Sequence, residues 1–314
     1  MTTLTLPSAL VDVKWLAENI DHPQLIILDA SAHMPGAVRN ASLEFKEKHI
    51  PHAHFFDFNQ QFADQQSDLP HMLPSAEIFT QEARALGINQ DSVIVIYDSA
   101  GIFSAPRGWW MFTAMGHKQC AVLNGGLPDW LLHKEWLAHK ELTHKELTLK
   151  SNIESGTEGA TAKATGNFTA HLQTELVKSV NEMTTAIAQN DVCILDARSE
   201  DRFNGTAKEP REGLISGHIP SSKNLPFNHL LQDGKYKSLD VLTALFEEKV
   251  DKDQTLYCSC GSGITACVIA FAAHLLDTAG TVKIKKIAVY DGSWCEWGDP
   301  KNNLPINTLI NTIK

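Results

Sequence analysis

The sequence predicts an α/β fold made of two tandem domains, each a parallel sheet with helices on both faces. The chain has 314 residues, enough for two domains of ordinary size. Short apolar runs that end in an acidic residue alternate with helical stretches, a pattern typical of buried parallel strands. The same landmarks recur in the second half of the chain, which indicates a duplication.

Four pairs of landmarks support the duplication, because they keep their order and lie 162 to 169 residues apart. The strand that ends at Asp29 matches the strand that ends at Asp196. The other pairs are His49–Pro51 with His218–Pro220, Asp98 with Cys260, and Asn124–Trp130 with Asp291–Trp297.

The domain limits follow from composition. We expect an N-terminal domain at residues 8–141 and a C-terminal domain at 167–304. Residues 142–166 are mostly small and polar, which is typical of a linker. Helices are expected from Ser75 through Leu86, and after Ser179, where Glu182 completes a capping box.

Composition narrows the classes of partner. The net charge of −10 argues against nucleic acid or an acidic membrane surface as a partner. No apolar run approaches the roughly 18 residues of a membrane helix, and the N-terminus lacks the pattern of a signal peptide. The six cysteines form no CxxC pair, so we expect free thiols and a cytoplasmic location.

A glycine-rich loop is the candidate centre for chemistry. The strand Thr255–Ser259 ends at Cys260, and an apolar stretch from Ile264 to Leu276 predicts a buried helix after the turn. Unpaired N–H groups and the helix dipole at such a position stabilise a thiolate, which is the nucleophilic form of cysteine. Gly261 and Gly263 allow the backbone to curl around the sulfur.

The alternative for Cys260 is a packing role in the core, the common fate of a free cysteine. That role suits Cys258, in phase with the strand, and Cys267, inside the predicted helix. A disulfide between Cys258 and Cys260 would be badly strained. The hydroxyl groups of Ser262 and Thr265 add possible hydrogen-bond donors around Cys260.

On these motifs, the chain resembles the tandem rhodanese-type sulfurtransferases over about residues 8 to 304. It is most similar to members that use 3-mercaptopyruvate, whose loop reads Cys-Gly-Ser-Gly-Val-Thr; only Ile264 departs from that pattern. Members that use thiosulfate carry basic residues after the cysteine. The resemblance implies that Cys260 carries a persulfide and that the first domain, with Asp98 at the matching place, is non-catalytic.

The resemblance also implies the substrate-binding residues. Arg202 and Arg211 match the family's pair of substrate-binding arginines, and guanidinium groups can grip the carboxylate and ketone oxygens of a keto acid. The alternative for each arginine is a salt bridge within the domain. The loop contributes the remaining substrate-binding positions, which are Gly261, Gly263, Ile264 and Thr265.

A histidine from the first half completes the implied site. In the family, a serine–histidine–aspartate relay is proposed, which places Ser262 and His71 in catalytic roles beside Cys260. The family's acid is replaced here by Asn59, and Asp57 and Asp64 are the nearby acids. Histidine can still act near neutral pH without a carboxylate partner.

The expected function is sulfur transfer from 3-mercaptopyruvate to a thiol, a thioredoxin-like protein or cyanide, with no metal or organic cofactor. Thiosulfate:cyanide sulfur transfer is the closest alternative. A cysteine phosphatase of this fold needs an arginine six positions after the cysteine, where this chain has Ala266. A non-enzymatic persulfide sensor or relay module is the remaining alternative, and Cys260 with both arginines argues against it.

Overall fold

The fold is taken from a computed structural model that describes residues 3–139 and 165–309. Nearly all of the predicted linker therefore falls outside the described residues. The chain divides into two compact units. Unit 1 contains Met1–Phe62, Pro74–Leu172 and Asp233–Lys235, and unit 2 contains Ala63–Leu73, Gln173–Gln232 and Tyr236–Lys314. The segment that carries His71 thus belongs to unit 2 by its contacts.

Unit 1 contains a five-stranded parallel sheet in the order β1-β5-β4-β2-β3. Its strands β2 and β4 are buried along their whole length, as expected for the centre of a covered sheet. The elements in chain order are β1 (Leu10–Val11), α1 (Val13–Asn19), β2 (Leu25–Asp29), α2 (Ala41–Glu47), β3 (Ala53–Phe55), α3 (Ala76–Ala85), β4 (Val93–Tyr97), α4 (Ala105–Ala114), β5 (Cys120–Leu123) and α5 (Gly126–His139).

Unit 2 contains a second five-stranded parallel sheet, in the order β6-β12-β11-β7-β8. Two further strands, β9 and β10, pair in a separate ribbon. The elements are β6 (Val177–Lys178), α6 (Val180–Ala186), β7 (Val192–Asp196), α7 (Glu200–Phe203), β8 (Lys223–Asn224), β9 (Leu231–Gln232), β10 (Lys235–Tyr236), α8 (Leu239–Glu247), β11 (Thr255–Ser259), α9 (Ala266–Ala279), β12 (Lys286–Tyr290) and α10 (Ser293–Trp297).

The two sheets repeat one topology, because β1 to β5 correspond in order to β6, β7, β8, β11 and β12. Three landmark pairs of the sequence close or follow corresponding strands, and the fourth, His49–Pro51 with His218–Pro220, precedes β3 and β8. The prediction of a duplicated α/β fold with parallel sheets is confirmed.

Two of the three helices that the sequence predicts start where their capping residues indicate. Ser75 caps α3, and the Ser179 and Glu182 side chains form the predicted capping box of α6. The helix after the loop begins at Ala266, two residues later than the apolar pattern suggests. Gly263 has φ of 80°, outside the right-handed helical region, so the chain enters the helix only after Thr265.

The core of unit 2 fixes the elements that follow the loop. Every residue of α9 from Ala266 to Ala273, and Leu276 in its last turns, is buried, as the apolar sequence predicts. Trp294 and Trp297 of α10 are both fully buried, and they pack with Met183, Ile194 and Tyr290. These two tryptophans therefore anchor α10 in the core of unit 2.

The strand-end acids differ in their partners. In unit 2, the Asp196 carboxylate pairs with the buried Arg198 guanidinium at 2.7 Å. In unit 1, the matching position to Arg198 is Ser31, whose N–H donates to Asp29 at 2.9 Å. Burial raises the pKa of Asp29 to about 6, although the hydrogen bonds from Ser31 by themselves lower that pKa.

Asp98 fills an anion cradle at the end of β4. Its carboxylate accepts hydrogen bonds from four backbone N–H groups at 2.8 to 2.9 Å, while the side chain is buried. The donors belong to Ala100, Phe103, Ser104 and Ala105. In unit 1, the amides of this loop thus point at one negative charge, and the chain itself supplies that charge through Asp98.

None of the helices in the described part of the chain is long and apolar enough to cross a membrane.

Asp98→Ala should lower the free energy of unfolding by at least about 3 kcal/mol, because it leaves several buried N–H groups without an acceptor. The measurement is chemical denaturation by linear extrapolation. Asp91→Ala is the control, since Asp91 is exposed and accepts only at the surface. An equal loss in both variants would contradict the cradle as the cause.

Asp29→Asn should stabilise the protein by up to about 3 kcal/mol at pH 8 and not at all near pH 4. The folded pKa of about 6 lies above the ordinary 3.8, so the wild-type carboxyl is stabilising below pH 4 and loses that contribution as pH rises through 6. Unfolding at several pH values tests this, with the exposed Asp21→Asn as control. A stability gain of Asp29→Asn over wild type that increases toward pH 4 would contradict the raised pKa of Asp29.

Candidate active site

Cys260 lies directly after β11 at the carboxyl end of the unit 2 sheet, and its side chain is buried. Its backbone N–H donates to the Ser293 hydroxyl at 3.2 Å. That hydroxyl donates in turn to the Tyr290 carbonyl at 2.8 Å. The end of β12 therefore fixes the backbone at the nucleophile.

The first turn of α10 orients the rest of the loop. The Trp294 N–H donates to the Cys260 carbonyl at 3.0 Å, and the Cys295 N–H donates to the Gly261 carbonyl at 2.9 Å. The loop carbonyls therefore point at α10, so that the loop amides are left for another acceptor.

Several loop amides are available to an anion. Within the part of the chain that the structure describes, the N–H groups of Gly261, Ser262, Ile264 and Thr265 donate no hydrogen bond. In unit 1, the amides at the places of Ser262 and Thr265 bind the Asp98 carboxylate. The duplicated loop thus demonstrates the anion-binding geometry that the sequence predicts for a sulfur anion on Cys260.

The two loop glycines are needed for different reasons. Gly263 has φ of 80°, the left-handed region that favours glycine. Gly261 has no such conformation, but a Cβ there would lie 3.1 Å from Arg202 Nη2. The sequence predicts that both glycines curl the backbone, whereas Gly261 instead makes room for a guanidinium beside the loop.

Arg202 is held in place by Glu209. The Glu209 carboxylate accepts from Arg202 Nε at 3.2 Å and from Nη2, and its side chain is buried. It also accepts from Arg198 Nη1 at 2.9 Å. Arg202 Nη1 makes no hydrogen bond among the described residues, so one edge of the guanidinium is left for a ligand.

Arg198 braces the domain. Its guanidinium is buried, donates to Asp196 and to the Gly217 carbonyl, and stacks 4.0 Å from the Trp294 ring. Burial alone would lower the pKa of Arg198, but the carboxylates of Asp196 and then Glu209 raise it. Arg198 therefore stays charged and locks Glu209 toward Arg202.

Arg211 lies beside His71. Arg211 Nη2 is 3.4 Å from His71 Nε2, and since arginine has no acceptor, the histidine nitrogen must accept. His71 has φ of 63° and lies in a short loop closed by the bond from Asp64 N–H to the Met72 carbonyl at 2.9 Å. The Leu73 N–H donates to Asp291 Oδ2 at 2.7 Å, which ties that loop to the end of β12.

The acids near the predicted relay serve local turns. Asp57 Oδ1 accepts from the Asn59 and Gln60 amides, and Asp64 Oδ1 accepts from the Gln66 amide. The relay from Ser262 to His71 stays a prediction.

Four residues that no sequence motif assigns a role belong to this site: Glu209, Asp291, Ser293 and Cys295. Glu209 stands two positions before Arg211, in a segment where the sequence motif assigns a role to the arginines alone. The other three lie in the repeated Asp291–Trp297 landmark. The repeat itself could have flagged them, because it marks the turn that follows β12 in each unit.

The arrangement combines a buried thiol, a set of inward amides and two guanidinium groups. This is suited to a nucleophile that passes through a sulfur anion while a carboxylate-bearing ligand is held beside it. No group of three or more metal-binding side chains occurs in the described residues.

Known proteins share this architecture. The rhodanese-like domain family matches residues 12–133 and 179–299. The 3-mercaptopyruvate sulfurtransferase of Escherichia coli K12 is 39% identical over 301 residues, which cover 95% of this chain and 98% of the relative. The human 3-mercaptopyruvate sulfurtransferase is 38% identical and covers 95% of this chain and 94% of its own. The thiosulfate sulfurtransferase of Cricetulus griseus is 40% identical over the same shares.

A solved structure agrees with these relatives. The crystal structure of SseA from Escherichia coli, described as a rhodanese fold, superposes with a TM-score of 0.76 at 36% identity. The superposition covers 91% of this chain and 99% of SseA. The resemblance inferred from the loop and the repeat is therefore confirmed, and the chain belongs to the family of sulfurtransferases built from two rhodanese-like domains.

Proposed function

We propose that this sulfurtransferase takes sulfur from 3-mercaptopyruvate, carries it as a persulfide on Cys260 and passes it to a thiol. The observation that carries the proposal is the Arg202 guanidinium against Gly261, within an uncharged loop. That position places a guanidinium group, whose paired N–H donors form a fork that can bind both oxygens of a carboxylate, next to the nucleophile.

In the first half of the cycle, the Cys260 thiolate attacks the sulfur of 3-mercaptopyruvate. The carbon–sulfur bond breaks, and its electron pair leaves on pyruvate as the enolate, which takes a proton from solvent. Cys260 then holds a persulfide. The amides of Ser262 and Thr265 stabilise the charge on the outer sulfur, as their counterparts do for Asp98.

The arginines hold the donor. Arg202 presents Nη1, since Glu209 occupies its other edge. Arg211 supplies the second cation for the carboxylate and ketone oxygens. His71 accepts from Arg211 and so orients that guanidinium, in addition to the relay role with Ser262 that the family implies.

Thiosulfate is the competing donor, and overall identity does not decide between the two. The relative named thiosulfate sulfurtransferase is as similar as those named 3-mercaptopyruvate sulfurtransferase. The loop favours the keto acid, because Gly261, Ser262 and Gly263 offer no positive charge to a doubly charged donor.

The acceptor in the second half is a small thiol or a thioredoxin-like protein, with cyanide as a laboratory substitute. A reducing compartment such as the cytoplasm is part of the proposal. It is supported by the six cysteines, all of which are free.

Cys260→Ser should reduce sulfur transfer about a thousandfold or more, because a serine hydroxyl cannot form a persulfide. The assay follows pyruvate release and thiocyanate formation, with 3-mercaptopyruvate and thiosulfate compared at matched concentrations. Cys120→Ala is the control, since Cys120 is buried in unit 1. A wild-type preference for thiosulfate would reject the donor, and an active Cys260→Ser would reject the mechanism.

Arg202→Lys should raise KM for 3-mercaptopyruvate about tenfold with a smaller change in kcat, because lysine keeps the charge but loses the fork. Arg39→Lys is a matched control: Arg39 makes the same two-bond contact with Glu44, but in unit 1. Steady-state kinetics of both variants check this. Equal effects in the two variants would contradict a role for Arg202 in holding the donor.

A further inference from the structure

A second buried thiol lies on the helix that is hydrogen-bonded to the loop of the reactive one. Cys295 lies on α10, is buried, and its N–H donates to the Gly261 carbonyl beside Cys260 at 2.9 Å. The preceding residue, Trp294, donates to the Cys260 carbonyl itself at 3.0 Å. These two hydrogen bonds hold the backbone at Cys295 against the backbone at Cys260 and Gly261. A disulfide needs Cα atoms about 4.4 to 6.8 Å apart, so close backbone packing of this kind is its first requirement.

The two thiols share one electrostatic environment. Burial raises the pKa of Cys295 to about 11. Among the charges that act on it, Arg211 lowers that pKa, Cys260 and Glu209 raise it, and Arg202 lowers it. The Cys295 thiol therefore shares the electrostatic surroundings of the nucleophile and of both substrate-binding arginines.

The other buried cysteines of unit 2 are placed differently. The Cys267 thiol donates to the Gly263 carbonyl at 3.1 Å, and the Cys193 thiol donates to the Lys249 carbonyl at 3.5 Å. Cys258 lies two residues before Cys260 on the same strand, where a disulfide would be strained. Cys295 is thus the thiol best placed to react with Cys260.

We propose that Cys295 is a resolving thiol, which attacks the Cys260 persulfide and releases hydrosulfide when no external acceptor is present. This inference rests on the proposed function, because it needs the persulfide on Cys260. It adds an internal route for sulfur release to the transfer to an external thiol.

The step balances without an added oxidant. The Cys295 thiol passes its proton to the outer sulfur of the persulfide, and the resulting thiolate attacks the inner sulfur, Cys260 Sγ. The bond between the two persulfide sulfurs breaks, and its electron pair leaves on hydrosulfide. The outer sulfur is reduced to sulfide and the Cys295 sulfur is oxidised, while Cys260 Sγ exchanges one sulfur–sulfur bond for another and keeps its oxidation state. A small thiol or dithiol reductant then reopens that disulfide.

The charges also set the order of events. A protonated Cys295 does not compete with Cys260 for the donor, because the thiolate is the nucleophile. While the keto acid is bound, its carboxylate offsets Arg202 and Arg211. Once pyruvate leaves, both guanidinium groups can stabilise a Cys295 thiolate, so that resolution follows product release.

The test is an anaerobic single turnover of the full-length protein with one equivalent of 3-mercaptopyruvate and no acceptor. Pyruvate and sulfide are quantified, and the intact mass is measured without reductant. Wild type should release one equivalent of each and form a peptide-mapped disulfide between Cys260 and Cys295. Cys295→Ser and Cys295→Ala should release pyruvate, hold a sulfur atom of about 32 Da on Cys260, and release sulfide at least about tenfold more slowly.

The control is Cys120→Ala, which should behave as wild type because Cys120 lies in unit 1. Release of pyruvate by wild type with a lasting persulfide and no sulfide would overturn the resolving role and leave the proposed function standing. Equal sulfide release by wild type and both Cys295 variants would also overturn it. No pyruvate from wild type would overturn the proposed function and this inference with it.

Discussion

The candidate site depends on the hydrogen bonds that the start of α10 makes with the loop that carries Cys260. The Trp294 and Cys295 amides bind the carbonyls of Cys260 and Gly261, and the Ser293 hydroxyl binds the Cys260 N–H. A peptide unit whose carbonyl faces one side presents its N–H to the other, so these hydrogen bonds turn the loop amides toward the nucleophile. Unit 1 uses the same contact, from the Leu127 N–H to the Asp98 carbonyl at 3.0 Å.

A second constraint is the management of charge in a chain with a net charge of −10. Attraction of an anionic donor cannot come from bulk charge, so it depends on a few cations held in place. Buried carboxylates hold them: Asp196 fixes Arg198, and Glu209 joins Arg198 to Arg202. Burial makes these pairs costly to break, because one partner alone would be an uncompensated charge. The network therefore holds Arg202 rigidly against the loop.

The duplication gives one loop geometry two uses. In unit 1, Asp98 supplies a permanent anion that satisfies the cradle, which makes this loop a structural element. In unit 2, the shorter side chain of Cys260 leaves the amides of Ser262 and Thr265, at two of the matching places, to a ligand. The aspartates at the ends of β2 and β7 diverge in parallel, since Asp196 pairs with the Arg198 guanidinium whereas Asp29 has the neutral partners Ser31 and Tyr97. Loss of the cation and loss of the thiol thus occur together.

The sequence by itself determined the duplicated α/β fold, the position of Cys260 after β11, and the family, because these depend on local periodicity and on one contiguous motif. It also predicted roles for Arg202, Arg211 and His71 through their resemblance to family motifs. Only the tertiary structure placed Glu209 between two arginines, His71 against Arg211, and Cys295 beside the Cys260 loop. Those contacts join residues that are far apart in the chain or lie on different elements. Sequence periodicity predicts which residues are buried, but it does not predict which buried polar groups form hydrogen bonds with each other. The start of α9 at Ala266 was decided in the same way, by the backbone turn at Gly263 that the loop needs in order to surround the sulfur.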